Sequence, residues 1–216
     1  MGHAYWPLFD LEVRTPRLTM RYIDDDLAVE LAALAATGIH DPGWMPFGIP
    51  WSNAASPALE RGALQFYWRS RSETTPASWT INFAVIVGDT VVGTSGLMAS
   101  DFARMRQFET GSWLGRAHQG QGIGKEMRLA TLTLGFAGFG AEVATTGAWH
   151  DNGPSLGVTR SLGYTESGTR RMLRNDEVPD RMIGFEMARA HFDEHLRRTD
   201  VELVGVAPVR ELLGIS

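Results

Sequence analysis

A glycine-rich turn between a predicted strand and a predicted helix constrains this chain more than any other feature of its sequence. The strand is predicted over residues 107–115 and the turn over 119–124, and a helix follows to about Phe139. Glycines at positions 120, 122 and 124 can adopt positive φ and let the backbone approach a ligand closely. Successive N–H groups at the positive end of a helix dipole favour an anion, so the turn predicts a pyrophosphate-binding site.

Two common phosphate-binding motifs are excluded for this turn. A Walker turn needs Ser or Thr after Gly-Lys, but Gly124-Lys125 is followed by Glu126. A dinucleotide fingerprint needs the spacing Gly-x-Gly-x-x-Gly, which these alternating glycines do not have. Lys125 and Arg128 are expected to add positive charge beside the turn.

The composition limits the class of protein further. The chain has 216 residues, of which 44% are hydrophobic and 21% are charged, as is ordinary for a globular domain. It contains no cysteine, which excludes disulfides, thiolate metal sites and a cysteine nucleophile. Its net charge of -5, without a basic block, argues against a dedicated nucleic-acid or anionic-membrane binder. Residues 1–7 show no signal peptide and no apolar run approaches the ~20 residues that span a bilayer, so a soluble, cytoplasmic protein is expected.

The order of predicted elements is typical of a mixed α/β fold. Asp24 is a candidate N-cap for a helix that stops at Gly38, and Gly88-Asp89 suits a two-residue hairpin turn. Further strands are predicted over residues 17–22, 81–87, 90–97, 142–149, 163–166 and, as the final strand, 181–187. Further helices are predicted over residues 57–72, 155–161 and 188–198, the last of them polar.

Two segments carry no regular prediction. Residues 40–57 contain four prolines and two tryptophans, which indicates an irregular loop that either binds substrate or covers an apolar face. Residues 201–216 form a short tail, apolar in places, that is expected to pack on the body of the protein or on a partner chain.

The segment Gln119-Gly-Gln-Gly-Ile-Gly124 resembles the pyrophosphate motif Gln/Arg-x-x-Gly-x-Gly/Ala of the GCN5-related N-acetyltransferase (GNAT) family. Asn152-Gly-Pro-Ser155 and Leu162-Gly163-Tyr164 are similar to two later features of that family. Thr15-Pro-Arg-Leu18 resembles the opening strand of the branch that acetylates the N-termini of ribosomal proteins. The resemblance implies a GNAT fold: a twisted, mostly antiparallel sheet with helices on both faces and a splayed central strand pair. Residues 1–216 are then expected to form a single domain, with a core over about 11–190 and a tail over 200–216.

The resemblance also implies roles for individual residues. The strand with Trp113 and Leu114 is expected to splay from the strand with residues 145–148, so that the pantetheine arm of an acyl-CoA lies between them. The Leu114 N–H would stabilise the oxyanion, Asn152 would bind the pantetheine and Ser155 would lie close to the sulfur. The expected acyl-CoA contacts are Trp113, Leu114, Gln119, Gly120, Gln121, Gly122, Ile123, Gly124, Lys125, Asn152 and Ser155.

Glu109 opens the same strand and resembles a carboxylate that serves this branch as general base. An amine acceptor is mostly protonated at neutral pH, and a carboxylate can take its proton directly or through a water. The alternative is a solvated residue at the strand end. Many relatives protonate the leaving thiolate with a tyrosine seven residues after the asparagine, where this chain has Thr159; Ser155, Tyr164 or water could replace it.

Two histidine motifs are candidates for further sites. His191-Phe-Asp-Glu194-His195 matches the His-x-x-Glu-His metalloprotease signature, but it lies in a polar segment, and a solvated helix without metal is the favoured interpretation. His150-Asp151 either contacts substrate or forms a solvated turn.

The sequence therefore predicts an enzyme that transfers an acyl group from acyl-CoA to a primary amine in a ternary complex, without a covalent enzyme intermediate. Acetyl-CoA is the favoured donor, and succinyl-CoA or another acyl-CoA is the alternative. The acceptor is a protein N-terminus, a lysine or a small-molecule amine, and a homodimer is expected by analogy with relatives. A CoA-binding sensor without turnover and a structural interaction module are the competing hypotheses.

Overall fold

The computed structural model describes residues 2–175 and 178–215. The strands are β1 (Glu12–Arg14), β2 (Thr19–Tyr22), β3 (Ser78–Val87), β4 (Thr90–Ser100), β5 (Gln107–Leu114), β6 (Val143–Trp149), β7 (Thr165–Arg174), β8 (Val178–Ala188) and β9 (Glu202–Val204). The helices are α1 (Asp25–Ala36), α2 (Ala58–Ser72), α3 (Phe102–Met105), α4 (Ile123–Thr133), α5 (Gly153–Ser161), α6 (Arg189–His195) and α7 (Val206–Leu212).

The nine strands form one sheet in the order β7-β8-β6-β5-β4-β3-β2-β1-β9. Every neighbouring pair is antiparallel except β5 and β6, which run parallel. Adjacent residues of β3 enter different cores, because successive side chains of a strand point to opposite faces. Phe83 packs in the larger core with α4, whereas Ala84 packs with α1 and α2. The expected fold class, a mostly antiparallel sheet with helices on both faces, is confirmed.

Several local predictions are confirmed because short-range chemistry determines them. The Asp24 carboxylate accepts the N–H of Leu27 at 2.8 Å and begins α1, and Gly38 follows its end with φ +95°. Gly88 takes φ +59° in the two-residue turn that joins β3 to β4, where Val87 pairs with Thr90. These elements needed no information from distant parts of the chain.

The start of the chain departs from the prediction of one strand over residues 17–22. The structure has β1 and β2, joined by a turn in which the Thr15 N–H donates to the Leu18 carbonyl at 2.9 Å. The helix predicted to run to Phe139 is regular only to Thr133 and then widens into a π-helical turn over residues 134–138. Both changes depend on packing against neighbouring elements, which a periodicity argument does not include.

The end of the chain departs further. The strands predicted over residues 163–166 and 181–187 are the longer β7 and β8, and residues 176 and 177 of their connection lie outside the described part of the chain. β8 is not the final strand, because β9 pairs with β1 at the sheet edge. The polar helix predicted over 188–198 is only α6, and its Phe192 is fully buried against Phe136. The tail packs on the body of the protein, since Val209 and Leu213 belong to the larger core.

The sheet opens at its centre, between the two parallel strands. β5 and β6 pair at only three positions, the last of which is Glu109 with Thr145. β5 continues to Leu114 and β6 to Trp149 without further backbone pairing. The strands therefore splay beyond Glu109, as the resemblance implied. Among the described helices, none is both long enough and apolar enough to cross a membrane.

Candidate functional site

The backbone of β5 presents donors to the opening between β5 and β6. The N–H of Gly115 donates to the Val92 carbonyl on the β4 side at 3.0 Å. Because hydrogen-bonding groups alternate along an antiparallel strand, the N–H groups of Ser112 and Leu114 face the other way, into the opening. The Leu114 carbonyl faces the same way and accepts the Gln119 side-chain amide at 2.9 Å. The opening is thus lined by donors that β6 does not use.

Polar side chains fill the narrow end of this opening. The Thr146 hydroxyl donates to the Thr110 carbonyl at 3.0 Å, just beyond the last paired position. Arg128 of α4 then reaches across, donating to Thr146 Oγ1 at 3.2 Å and to Ser112 Oγ at 3.1 Å. Arg128 is only 5% exposed, and no carboxylate of the described residues pairs with it. Sequence analysis placed this cation beside the glycine turn, whereas the structure buries it at the opening.

Two buried polar atoms at this end of the opening have no hydrogen-bond partner among the described residues. They are Nε of Arg128 and the hydroxyl oxygen of the neighbouring Tyr164. Burial raises the pKa of the Tyr164 phenol, and the neighbouring guanidinium of Arg128 offsets only part of this rise. Since buried donors are seldom left unsatisfied, this end of the opening has hydrogen-bonding capacity to spare for a ligand or a water.

The glycine-rich turn lies at the wide end of the opening and leads into α4. Gly120 and Gly122 take φ +71° and +79°, conformations that a residue with a side chain adopts only at a cost. Gly124 does not have positive φ, contrary to the sequence prediction; it lies in the first turn of α4 and packs near Val158 and Leu114. The first N–H groups of α4 have no partner within the helix, so they are available to an anion.

The side chains of the turn hold its own framework in place. Gln119 donates to the carbonyls of Leu114 and Ile39, both at 2.9 Å, and Gln121 donates to the Ala117 carbonyl at 2.8 Å. The Lys125 ammonium lies 3.3 Å from the Ser161 carbonyl at the end of α5, and Ile123 is buried in the core. An anion at this turn would therefore meet backbone N–H groups more than side chains.

Arg17 is a basic residue at the turn that sequence analysis did not select. Its guanidinium donates to the Gln121 carbonyl at 3.1 Å and lies 3.4 Å from the Glu126 carboxylate. Thr15 holds the other oxygen of Glu126 through a hydrogen bond of 2.6 Å. The only sequence signal for this contact was the resemblance of residues 15–18 to an opening strand, and that resemblance gave no hint of its proximity to the turn.

Asn152 and Ser155 lie together just after β6. Asn152 Oδ1 accepts the backbone N–H of Ser155 at 3.1 Å and caps α5. Its amide nitrogen has no hydrogen-bond partner within residues 2–175 and 178–215. Thr159 is completely buried, and Tyr164 is nearly so. Of the protein groups considered as proton donors to a leaving thiolate, Ser155 alone is partly exposed.

Glu109 stands at the point where the two strands separate. It pairs with Met98 of β4 and Thr145 of β6, and among the described residues its carboxylate makes no hydrogen bond or ion pair. It lines a cavity of about 530 Å³ at the ends of β3, β4 and β5. The described lining contains a second carboxylate, Asp101, and no basic side chain. Such a cavity favours a cationic ligand.

The loop of residues 40–57, called the strap from here on, covers one face of the opening. Its Trp51 ring lies 6.0 Å from the Trp113 ring of β5, centroid to centroid. Its Trp44 donates through Nε1 to Asp151 at 3.0 Å, beyond the end of β6. The strap therefore contacts both splayed strands or their continuations. Its Phe47 and Trp51 also cover the apolar cluster around Trp113.

The histidines of the His-x-x-Glu-His motif have structural contacts. His191 Nε2 lies 3.1 Å from the Leu162 carbonyl, and the His191 and His195 rings are 4.8 Å apart. The described residues contain no cluster of three or more His, Asp or Glu side chains that could hold a metal ion. His150 Nδ1 lies 3.1 Å from the Asp180 carboxylate, so the His150-Asp151 pair belongs to the network around the strap.

The sequence model of one protein family, the acetyltransferase (GNAT) domain, matches residues 17–165. The chain belongs to the GNAT family. The match begins at Arg17 and includes β5, the glycine turn, α4 and α5. The splayed strands and the turn described above are thus features of a GNAT domain.

Solved structures of similar fold include several acetyltransferases. RimL, the ribosomal L7/L12 α-N-protein acetyltransferase solved with coenzyme A, is 16% identical with a TM-score of 0.67, and the match covers 81% of this chain and 95% of RimL. The ribosomal-protein-S5-alanine acetyltransferase from Vibrio fischeri is 17% identical with a TM-score of 0.63, covering 88% and 100%. The microcin C7 self-immunity acetyltransferase MccE, solved with acetyl-CoA and AMP, is 16% identical with a TM-score of 0.61, covering 80% and 93%. At these identities the likeness establishes the fold.

Proposed function

We propose that this GNAT protein transfers an acyl group from acyl-CoA to a primary amine by direct attack in a ternary complex. Acetyl is the favoured acyl group. One observation carries the proposal. The free carboxylate of Glu109 lies where β5 and β6 separate, and the same opening leads to the unpaired N–H groups of the glycine turn. A base for the acceptor and an anion site for the donor thus share one opening.

Each step of the proposed reaction uses a group of this opening. Glu109 takes the proton of the acceptor ammonium, directly or through a water, and the neutral amine attacks the thioester carbon. The N–H of Leu114, which faces the opening, stabilises the oxyanion of the tetrahedral intermediate. Collapse of that intermediate breaks the C–S bond, and the attacking nitrogen gives up its second proton to the departing thiolate through the Ser155 hydroxyl or a water, which receives one proton as it donates another. The turn from Gln119 to Lys125 holds the pyrophosphate, and Asn152 donates its amide to the pantetheine.

The acceptor in this proposal is a protein or peptide N-terminus. RimL and the Vibrio fischeri enzyme are ribosomal-protein acetyltransferases by name. The carboxylates of Glu109 and Asp101 in the cavity suit an ammonium group. We place the reaction in the cytoplasm, and a homodimer remains a prediction.

Titration with CoA, acetyl-CoA and succinyl-CoA while thermal unfolding is followed tests the donor site. A ligand at a hundredfold excess over its Kd adds about 2.7 kcal/mol to the free energy of unfolding. For a chain of this size the expected rise in Tm is roughly 5–10 °C. No rise at millimolar acyl-CoA would contradict the proposal. A rise without transfer to any amine of a peptide and small-molecule panel would instead favour a CoA-binding sensor.

A second candidate donor, an acyl-CoA whose acyl group ends in a carboxylate such as succinyl-CoA, is favoured by Arg128. A buried guanidinium without a carboxylate partner is costly, and a ligand carboxylate would satisfy it. Its Nε and the Tyr164 hydroxyl are both unpartnered at the narrow end of the opening. The proposal is that an acyl carboxylate binds there.

Arg128→Met tests this second candidate. If a carboxylate binds Arg128, the ratio of kcat/KM for succinyl-CoA to that for acetyl-CoA should fall by about 10–100-fold in the variant, the size of a lost charge-assisted hydrogen bond. Arg170→Met removes an exposed arginine of β7 and serves as the control that should leave the ratio unchanged. A wild-type enzyme that prefers acetyl-CoA, with a ratio insensitive to Arg128, would leave acetyl as the donor.

A further inference from the structure

A largely buried arginine contacts the strap near its start. Arg174, the last residue of β7, has a side chain that is only 12% exposed. Its Nε and one terminal nitrogen donate to the Met45 carbonyl of the strap at 2.8 and 2.6 Å. This bidentate contact with one backbone oxygen joins the strap to the β7–β8 hairpin.

The other terminal nitrogen of Arg174 joins two more segments. It lies 2.9 Å from Asp151, after β6, and 2.9 Å from Asp180 of β8. The guanidinium also faces the rings of Trp44 and Trp149, at 5.7 and 5.2 Å from their centroids. The strap, the end of β6 and the β7–β8 hairpin thus meet at one side chain. A planar guanidinium is the group that can form all of these contacts at once.

The charges around Arg174 keep this junction intact near neutral pH. Burial opposes ionisation of Asp151, but hydrogen bonds from Arg174 and Trp44 outweigh it and hold its pKa below the ordinary value. The Arg181 N–H, followed by Arg174 and His150, lowers the pKa of Asp180. A carboxylate whose pKa is lower in the folded than in the unfolded protein stabilises the fold at pH values above its pKa in the unfolded protein. This stabilisation is lost as the pH falls through its pKa in the folded protein. Both partners of Arg174 are therefore ionised at the pH of an acyl-transfer assay.

The strap lies on the same face of β5 as Glu109. Phe108 packs in the core with α4, whereas Trp113 packs against α1, α2 and the strap. Side chains an even number of residues apart along a strand share a face, so the side chains of Glu109 and Trp113 both point to the strap side. The first N–H groups of α4, which would hold the donor, belong to the helix on the opposite face. An amine that reaches Glu109 therefore shares its face of the sheet with the strap.

From this arrangement we propose that Arg174 is a positioning residue for the acceptor: it holds the strap over the Glu109 face of the opening, so that acceptor binding, and not acyl-CoA binding, depends on it. The inference rests on the proposed acyltransferase function. The strap contacts Trp113 through its own aromatic residues and reaches the far side of the opening through Arg174. Without Arg174, the strap would keep only the hydrogen bond of Trp44 to Asp151 on the far side, and the acceptor would have to order the strap as it binds.

The test compares Arg174→Met and Arg174→Lys with the control Arg170→Met, which removes an exposed arginine of the same strand. The acceptor KM should rise about tenfold or more in Arg174→Met, because ordering several side chains on binding costs on this scale. The Kd for acyl-CoA, measured by calorimetry, should stay within about twofold, since a group that does not contact the ligand contributes little to binding.

Arg174→Lys should recover little of the wild-type acceptor KM, because an ammonium cannot reproduce the forked hydrogen bonds of a guanidinium or its contacts with the rings. Hydrogen exchange of the backbone amides of residues 40–57 should accelerate in both variants and not in the control.

The outcomes separate this inference from the proposed function. An unchanged acceptor KM in Arg174→Met, with normal turnover, would overturn the inference alone. Unchanged exchange over residues 40–57 would do the same, because it would show that Arg174 does not hold the strap. A weaker Kd for acyl-CoA in Arg174→Met would show that the residue acts on the donor site. A wild-type protein that binds acyl-CoA but acylates no amine would overturn both proposals together.

Discussion

Replacing Glu109 with glutamine is expected to lower kcat/KM for the amine acceptor by about 10²–10⁴-fold, the usual contribution of a general base. Glutamine keeps the size of the side chain and its place at the last position where β5 pairs with β6, but it cannot take a proton from an ammonium. The carboxylate makes no ion pair among the described residues, so the substitution should leave the fold and acyl-CoA binding intact. Single-turnover kinetics with saturating acyl-CoA would measure the acyl-transfer step directly.

The pH dependence of the variant sharpens this test. If Glu109 is the base, Glu109→Gln should recover activity as the pH rises, because more of the acceptor amine is then neutral before it binds. The matched control is Glu211→Gln on the exposed surface of α7, a helix that packs against residues 7–10. This substitution removes the same charge from a residue that does not line the cavity. A rate within about threefold of wild type in Glu109→Gln at neutral pH would rule out the base assignment, since general bases contribute far more than this.

Replacing Gly122 with valine is expected to weaken acyl-CoA binding by about 100-fold. Gly122 has φ +79° directly before α4, and a β-branched residue at positive φ is strongly disfavoured. Its side chain would also stand at the turn whose N–H groups are proposed to hold the pyrophosphate, about 3.5 Å from the Arg17 guanidinium. Calorimetric titration with acetyl-CoA measures the change in Kd.

The matched control for this prediction is Gly88→Val. Gly88 also has positive φ, at the tip of the β3–β4 hairpin, and a Cβ there would meet no atom within 4 Å beyond the adjacent residues. Both substitutions should lower the free energy of unfolding by roughly 1–2 kcal/mol through backbone strain, but only Gly122→Val should change the Kd for acyl-CoA. Equal affinities in the two variants would place the pyrophosphate elsewhere on the molecule.

Sequence reasoning identified the elements whose structure is determined within a few residues. The glycine turn, the Asp24 cap and the Gly88 turn depend on local backbone conformation and on hydrogen bonds of short range. The turn was recognised before the fold because a phosphate-binding backbone needs glycines at fixed spacing. Local patterns also predicted the bounds of the strand carrying Glu109 and of the helix after Asn152 to within one or two residues of those in the structure.

The longer hairpin of β7 and β8 was less visible to sequence reasoning. Nearly all of β7 is exposed, so it lacks the alternation of apolar and polar residues that marks a half-buried strand. β9 is only three residues long and forms because it pairs with β1. The paired residues Arg14 and Glu202 are 188 residues apart in the sequence. Pairing partners at such separations leave no local pattern.

The sequence by itself predicted the GNAT family, the glycine turn and Glu109 as the candidate base, because each of these predictions depends on residue type at a fixed local spacing. Only the tertiary structure decided which side chains surround the opening. Arg128 is buried across it, and Arg174 meets the Met45 carbonyl 129 residues earlier in the chain. The physical reason is that the burial and the partners of a charged side chain depend on the groups around it, and those groups come together only when the sheet has formed.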